Sequence, residues 1–303
     1  MARRKKGRAL NGWLIIDKPA GISSNAVVNK LKWVLDAQKA GHAGTLDPEA
    51  TGLLAVAFGE ATKTVPWVMD DLKAYDFVVR LGQATNTDDA EGDVVETSES
   101  RPSTAQIEAA LDDFVGHIEQ VPPAFSAVKI DGERAYAQAR RGTDITLAPR
   151  PLYVDQLSLL SRIDDDHAKL HLVCGKGGYV RSIARDLGRA LGCFGHVKTL
   201  RRIWSGPFSL DDHGHAFYVF DLPEKQPALE QKLLPIEAAL NDFPEIPLAE
   251  AQARAIAHGN STPLTATDLD HGQEAWASSE GLAIALGRYE GGAFHPERVL
   301  NRR

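Results

Sequence analysis

The chain has 303 residues, is 43% apolar and 25% charged, and carries a formal net charge of -7. This is a globular composition with room for one large domain, or a medium domain plus a small one. It excludes a transmembrane helix, since no run of about 18 apolar residues occurs, and a uniformly polyanion-binding surface.

The chain opens on a basic arm, residues 1–11, beginning MARRKKGRAL. No apolar stretch with a cleavage site follows, so it does not read as a secretory signal, and such arms are commonly solvated and able to touch nucleic acid. Trp13 to Ile16 predicts a strand running into the turn Asp17-Lys18-Pro19-Ala20-Gly21. Ser23 or Ser24 is placed to cap a helix whose Val27, Leu31 and Val34 recur at helical spacing. Gly41 to Gly52 reads as a loop, Leu53 to Phe58 as a buried strand, and Glu60 to Met69 as a helix.

Lys73 to Gly82 alternates, with Tyr75, Phe77, Val79 and Leu81 on one face of a strand. The acidic stretch 84–100, with Asp88, Asp89, Glu91, Asp93 and Glu96, reads as a turn or hairpin arm. Ser103 and Gln106 form a capping box for a helix through Val115. An extended segment from Pro122 to Ile130 and a helix over 133–141 follow. Leu152–Ile163 and Ala168–Cys174 predict paired strands around an acidic turn. Tyr179 to Leu191 is the clearest helix, with Arg181, Arg185 and Arg189 at i, i+4 and i+8 beside its apolar face. A strand pair spans His196 to Leu210. Residues 221–232 read as a surface linker, and a helix at 248–258 precedes short strands near 274–278, 281–289 and 298–300.

Adjacent strand pairs without regular βαβ units predict an α+β fold with a mixed, mainly antiparallel sheet and flanking helices. The predicted organisation is a basic arm (1–11), a catalytic domain (12–244) and a small β-rich domain (245–303). Cys174 and Cys193 lie far apart in sequence, which reads as free thiols in a reducing, cytoplasmic compartment.

Residues 174–202 concentrate Lys176, Arg181, Arg185, Arg189, Lys198, Arg201 and Arg202 against the single acid Asp186. In an otherwise acidic chain this points to a localised polyanion site, although a solvated face gives the same pattern. Phosphate-loop, dinucleotide and metal signatures are absent; His213 and His215 lack a third ligand nearby in sequence. What remains is the loop GHAGTLDPEATG, whose three glycines permit close backbone approach and whose Pro48 holds Asp47 extended. An isolated Asp-Pro is more often a turn residue than a catalyst.

Five segments in order carry a resemblance. They are DKPAGISS, GHAGTLDPEATGLLAVAFGEATK, KAYDFVVRLGQATNTDDAEG, PPAFSAVKIDGERAYAQARRG and CGKGGYVRSIARDLGRALGCFGHVKTLRR. Over residues 12–210 the chain resembles the TruB family of tRNA pseudouridine synthases. The resemblance implies the pseudouridine synthase fold and conversion of a T-loop uridine of tRNA to pseudouridine, without a cofactor, a metal or an obligatory protein partner. It implies that Asp47 is the catalytic aspartate, that Arg181 pairs with it, and that Tyr75 stacks on the target uracil. His42 enters the RNA loop, Tyr179 and the Leu200 backbone line the uracil pocket, and Lys18 supports the site. Arg185, Arg189, Lys198, Arg201 and Arg202 follow the RNA backbone. Ala55, Asn86, Phe125 and Gly178 depart from common family residues. The pattern GLAIALGRYEGGAFHPERV is similar to a PUA-like RNA-binding module. Two other readings are open: a non-catalytic RNA-binding or tRNA-folding protein, and a guide-RNA-dependent, dyskerin-type relative.

The implied reaction breaks a C–N glycosidic bond and forms a C–C bond with no net redox change. A carboxylate suits it, as a nucleophile at an oxocarbenium-like centre or in proton transfer at C2′.

Overall fold

The computed structural model describes residues 7–126, 128–130, 132–139, 141, 145, 147–215, 227–264 and 267–301. The first strand, β1 (Gly12–Lys18), is buried along nearly its whole length. Helix α1 (Ser24–Val34) follows, capped by the Ser23 hydroxyl, which accepts from the Ala26 amide. Strands β2 (Ala40–His42) and β3 (Thr51–Phe58) flank the glycine-rich loop, so the predicted loop begins inside a strand. A 3-10 turn and helix α2 (Val65–Asp70) lead to β4 (Lys73–Leu81), whose alternating burial matches the period-two pattern. The acidic stretch forms a hairpin of β5 (Gln83–Thr85) and β6 (Val94–Thr97).

Helix α3 (Thr104–Leu111) has the capping box expected of Ser103 and Gln106. Strand β7 (Gly116–Gln120), the short pair β8 (Lys129–Ile130) and β9 (Glu133–Arg134), and α4 (Ala135–Ala139) come next. The long antiparallel pair β10 (Arg150–Arg162) and β11 (His167–Cys174) precedes α5 (Val180–Ala190). Strands β12 (Gly195–Ser205) and β13 (Phe208–Ser209) lead to α6 (Leu210–His213) and α7 (Pro227–Glu230). The C-terminal elements are β14 (Glu245–Pro247), α8 (Glu250–Ala257), β15 (Thr262–Pro263), β16 (Glu274–Ser279), β17 (Leu282–Glu290) and β18 (Ala293–Val299).

Contacts divide the chain into two compact units. The first holds residues 1–48, 53–69 and 205–303. In it β1 lies beside β3, with β2 antiparallel on β3, and α1 packs Val27, Leu31 and Val34 against Leu14, Ile16 and Phe58. The C-terminal strands form a separate sheet in the order β14-β16-β17-β18-β15. Trp276, Ala283, Leu286 and Leu300 of that region share a core with Trp13, Leu53 and Phe208. The contact division therefore passes elsewhere than residue 245.

The second unit holds residues 49–52 and 70–204. Its sheet runs β12-β4-β11-β10-β7, and Thr51–Gly52 add to β12 in parallel. Helix α5 lays Val180, Ile183, Ala184 and Leu187 into a core with Phe77, Val79 and Leu170. The sheet is mixed and mainly antiparallel, as the adjacent strand pairs predicted.

Two expectations are corrected. Within the predicted linker, residues 221–226 lie outside the described residues, but Pro227–Glu230 is a helical turn with Leu229 buried in the core. Of the basic arm, residues 1–6 lie outside the described residues. Arg8 is held by both oxygens of Glu230 at 2.7 and 2.8 Å, and Leu10 packs on the core, so this end of the arm is part of the fold. No described helix is long and apolar enough to cross a membrane.

Candidate active site

Asp47 sits half-buried in the first unit, between two anchored neighbours. On one side, the buried Ser24 hydroxyl donates to the Leu46 carbonyl and accepts from the Leu46 amide, both at 2.9 Å. On the other, the Lys18 ammonium donates to the Pro48 carbonyl, and also to those of Pro19 and Ile22, each at 2.8 Å. Lys18 is 0% exposed, and three backbone acceptors offset the cost of burying its ammonium. The two adjacent serines thus divide the work: Ser23 caps α1 and Ser24 fixes the loop. Sequence reasoning had Lys18 but saw Ser24 only as a cap; its signal was a second hydroxyl where one cap suffices. His42 is half-buried on β2, opposite Val56 of β3.

In the second unit Tyr75 projects from β4 into the core with Phe77 and is 7% exposed. Arg202, on the neighbouring strand β12, is 1% exposed and hydrogen-bonded to Tyr75 through its side chain. Burial holds the Arg202 guanidinium below its ordinary pKa, and Tyr75 draws it back up. Lys73 shares the Tyr75 face of β4, and burial followed by the charge of Arg202 lowers its pKa to about 8. The Leu200 carbonyl accepts from the Thr51 hydroxyl at 3.3 Å.

Tyr179 stands at the N-terminus of α5. Its backbone is gripped by the buried Gln120 amide, which accepts from the Tyr179 N–H at 2.9 Å and donates to its carbonyl at 3.2 Å. Two residues on, Arg181 is buried and donates to the Thr87 carbonyl at 3.1 Å and the Phe125 carbonyl at 3.0 Å, with Asp89 at 3.4 Å. Arg185 donates to Asp88 at 3.0 Å, Asp186 at 2.8 Å and the Val121 carbonyl at 2.8 Å. Burial opposes its charge, but the bond to Asp186 and the field of Asp88 hold its pKa above the ordinary value. Burial pushes the Asp88 carboxyl up, against the pull of Arg185. The acidic hairpin thus supplies counter-charges to Arg181 and Arg185, beside Asp186 of α5 itself. Asp88 reaches this position with φ +60, a left-handed backbone that is uncommon outside glycine.

Burial corrects the basic stripe. Arg185 and Arg202 are interior and already partnered, so neither belongs to an exposed phosphate-facing row. Arg189 and Lys198 are exposed, and Arg201 is half-buried. Helical spacing places Arg181, Arg185 and Arg189 on one stripe, but Asp89 and Asp88, nearly a hundred residues earlier, fold onto the first two, while Arg202 is buried within β12. Among the described residues, no group of three His, Cys, Asp or Glu side chains is arranged to hold a metal.

Residues 32–180 match the family pattern described as the TruB family pseudouridylate synthase N-terminal domain, and residues 181–241 that of the tRNA pseudouridylate synthase B C-terminal domain. A tRNA pseudouridine synthase B of Dinoroseobacter shibae is 63% identical over 300 residues, covering 99% of this chain and 98% of that relative. The chain belongs to the TruB family of pseudouridine synthases. The same protein name attaches to a Gluconacetobacter diazotrophicus relative, 48% identical over 98% of this chain and 100% of its own length. Among solved structures, a chain of a Cbf5-Nop10-Gar1 complex is 26% identical with a TM-score of 0.75, covering 96% of this chain and 85% of that one. A chain of an H/ACA RNP bound to a substrate RNA containing 2'-deoxyuridine shares the fold at 22% identity and a TM-score of 0.75, covering 100% and 92%.

The matched ranges take in the anchored loop around Asp47, the strand that carries Tyr75, and the helix start with Tyr179 and Arg181.

Proposed function

We propose that this chain isomerises a uridine in the T-loop of tRNA to pseudouridine, with Asp47 as the reacting carboxylate. The observation that carries this reading is the anchoring of the backbone on both sides of Asp47, by Ser24 at Leu46 and by Lys18 at Pro48. A turn residue with no task needs no such fixing; a carboxylate that must meet an anomeric centre does, because sub-ångström placement governs rate.

The target base is extracted from its stack and presented to Tyr75, whose ring offers a stacking face. Asp47 acts on the ribose, either attacking C1′ or moving a proton at C2′, and both roles need it ionised. The family resemblance gives Arg181 the task of keeping it so, and Tyr179 and the Leu200 backbone the task of holding the uracil. His42 fills space near the extracted nucleotide. The exposed Arg189 and Lys198, with Arg201, meet RNA phosphates, and recognition rests on the folded shape of the T-arm. Residues 245–303 act as a PUA-like RNA-binding module. The enzyme works alone, in the cytoplasm, with no cofactor.

The test is pseudouridine formation by the purified chain on an unmodified tRNA transcript with nothing added. The unaltered protein forms product, and Asp47→Asn binds the transcript but forms none. Product at the normal rate from Asp47→Asn overturns the assignment. Activity only after a partner protein or guide RNA is supplied overturns the stand-alone reading.

A further inference from the structure

We infer that Arg202 is a positioning residue for Tyr75, fixing the hydroxyl's orientation and stabilising negative charge on its oxygen. The inference rests on the reading of Tyr75 as a group that faces the reacting base. Tyr75 and Arg202 lie on adjacent strands, β4 and β12, and both side chains are buried. Lys73 and Tyr75 are two apart on β4 and so point to the same side. Arg202 is thus a donor-only group at 1% exposure in contact with a phenol, with a second cation beside it.

The chemistry follows from direction. A guanidinium only donates, so the Tyr75 oxygen accepts from it. The hydroxyl's own hydrogen is then turned away from Arg202 and is available to another acceptor. If the phenol gives up that hydrogen, the oxyanion is already beside a fixed positive charge in a poorly hydrated place, where such charges act strongly. The pull of Tyr75 on the Arg202 pKa, against the effect of burial, is in keeping with that contact.

The donor's origin is also fixed. Arg202 pairs in parallel with Gly52, which has φ +98, and a Cβ there would stand 2.2 Å from the Arg202 carbonyl oxygen. Only glycine lets the two backbones approach so closely. The glycine that closes the signature loop therefore also sets the strand from which Arg202 reaches Tyr75.

Arg202→Met and Arg202→Lys test the inference, alone and combined with Tyr75→Phe. With a tRNA transcript, Arg202→Met should lower the single-turnover rate of pseudouridine formation about tenfold to hundredfold while affinity changes less than about threefold. Arg202→Lys should recover part of the rate. In the Tyr75→Phe background Arg202→Met should cost less than about twofold more, because its partner is already gone. Carbon-13 NMR of tyrosine ring Cζ, with the Tyr75 signal assigned by its loss in Tyr75→Phe, should show the ionisation midpoint rising by about one pH unit or more in Arg202→Met. Arg202→Lys covers the case in which Arg202→Met fails to fold. An unchanged midpoint, or an equal rate loss with and without the Tyr75 hydroxyl, overturns the inference. If the unaltered chain forms no pseudouridine, the functional reading fails, and the NMR measurement still decides whether Arg202 and Tyr75 are coupled.

Discussion

Each unit buries a lysine, and the two are held in opposite ways. Lys18, in the first unit, places its ammonium among three backbone carbonyls at 2.8 Å. Lys73, in the second, donates to the Asp71 carbonyl at 2.7 Å and stands in the field of Arg202. The first is a brace, a charge consumed in fixing a turn. The second is a base whose proton affinity has been lowered by its surroundings. Buried charge serves backbone geometry in one place and local electrostatics in the other, and the two uses should separate under mutation.

The largest effect is expected at the brace. Lys18→Met keeps the volume but removes the buried ammonium that ties the Pro19, Ile22 and Pro48 carbonyls together, so the folded chain should lose about 3 kcal/mol or more. Urea unfolding of the full chain measures this. A loss under about 1 kcal/mol would mean that the carbonyls find other donors and that the brace is dispensable.

Lys73 should behave differently. Its pKa falls from 10.5 to about 8 on folding, so between these values the unfolded chain holds a proton that the folded chain has lost. Stability from this group therefore rises as pH increases through that window. Cys174 works the other way, since burial raises its thiol from 9.0 to about 11, so stability falls as pH rises above 9. The useful quantity is the difference between the unaltered chain and Lys73→Met. That difference should grow in favour of the unaltered chain by about 1 kcal/mol between pH 8 and 9. At pH 7 the substitution should cost less than about 1 kcal/mol, because it also removes a charge that burial disfavours. A large loss at pH 7 would make Lys73 a second brace and erase the contrast.

The same contrast explains what could be read in advance. The strand at 73–81, the Ser103–Gln106 capping box, the α5 apolar face and the acidic hairpin all rest on local signals: alternation, spacing and cap chemistry. The loop around Asp47 was legible through its glycines and Pro48, and its significance through motif order. Ser24, Gln120, Asp88 and Asp89 were not, because each acts on backbone or charge distant in sequence. Nor could helical spacing reveal that Arg185 is buried, or strand position that Arg202 is, since burial depends on partners that only the fold supplies. The C-terminal strands looked independent because their alternation is self-contained, while Trp276 and Leu286 pack with Trp13.

The smallest effect should appear at His196, a second buried base in the second unit. The ring is 4% exposed, and its Nδ1 lies 3.1 Å from the Gln83 carbonyl, as a donor in the neutral tautomer that carries its hydrogen there. Burial holds its pKa below 6.5, with Arg80 and Lys198 adding to the effect and the Gln83 carbonyl opposing it. As pH falls below 6.5 the unfolded ring takes up a proton that the folded ring resists, so stability drops. His196→Gln retains a donor for the carbonyl but cannot titrate. Between pH 7 and pH 5.5 the unaltered chain should therefore lose up to about 1 kcal/mol more than His196→Gln, measured by urea unfolding at each pH. His215 is also held below 6.5 by burial and is present in both proteins, so its contribution cancels in the difference. Parallel pH curves for the two proteins would show that His196 charges as readily folded as unfolded. The second unit would then tolerate a new buried cation near Arg80 and Lys198, and Lys73 alone would carry the electrostatic side of the contrast.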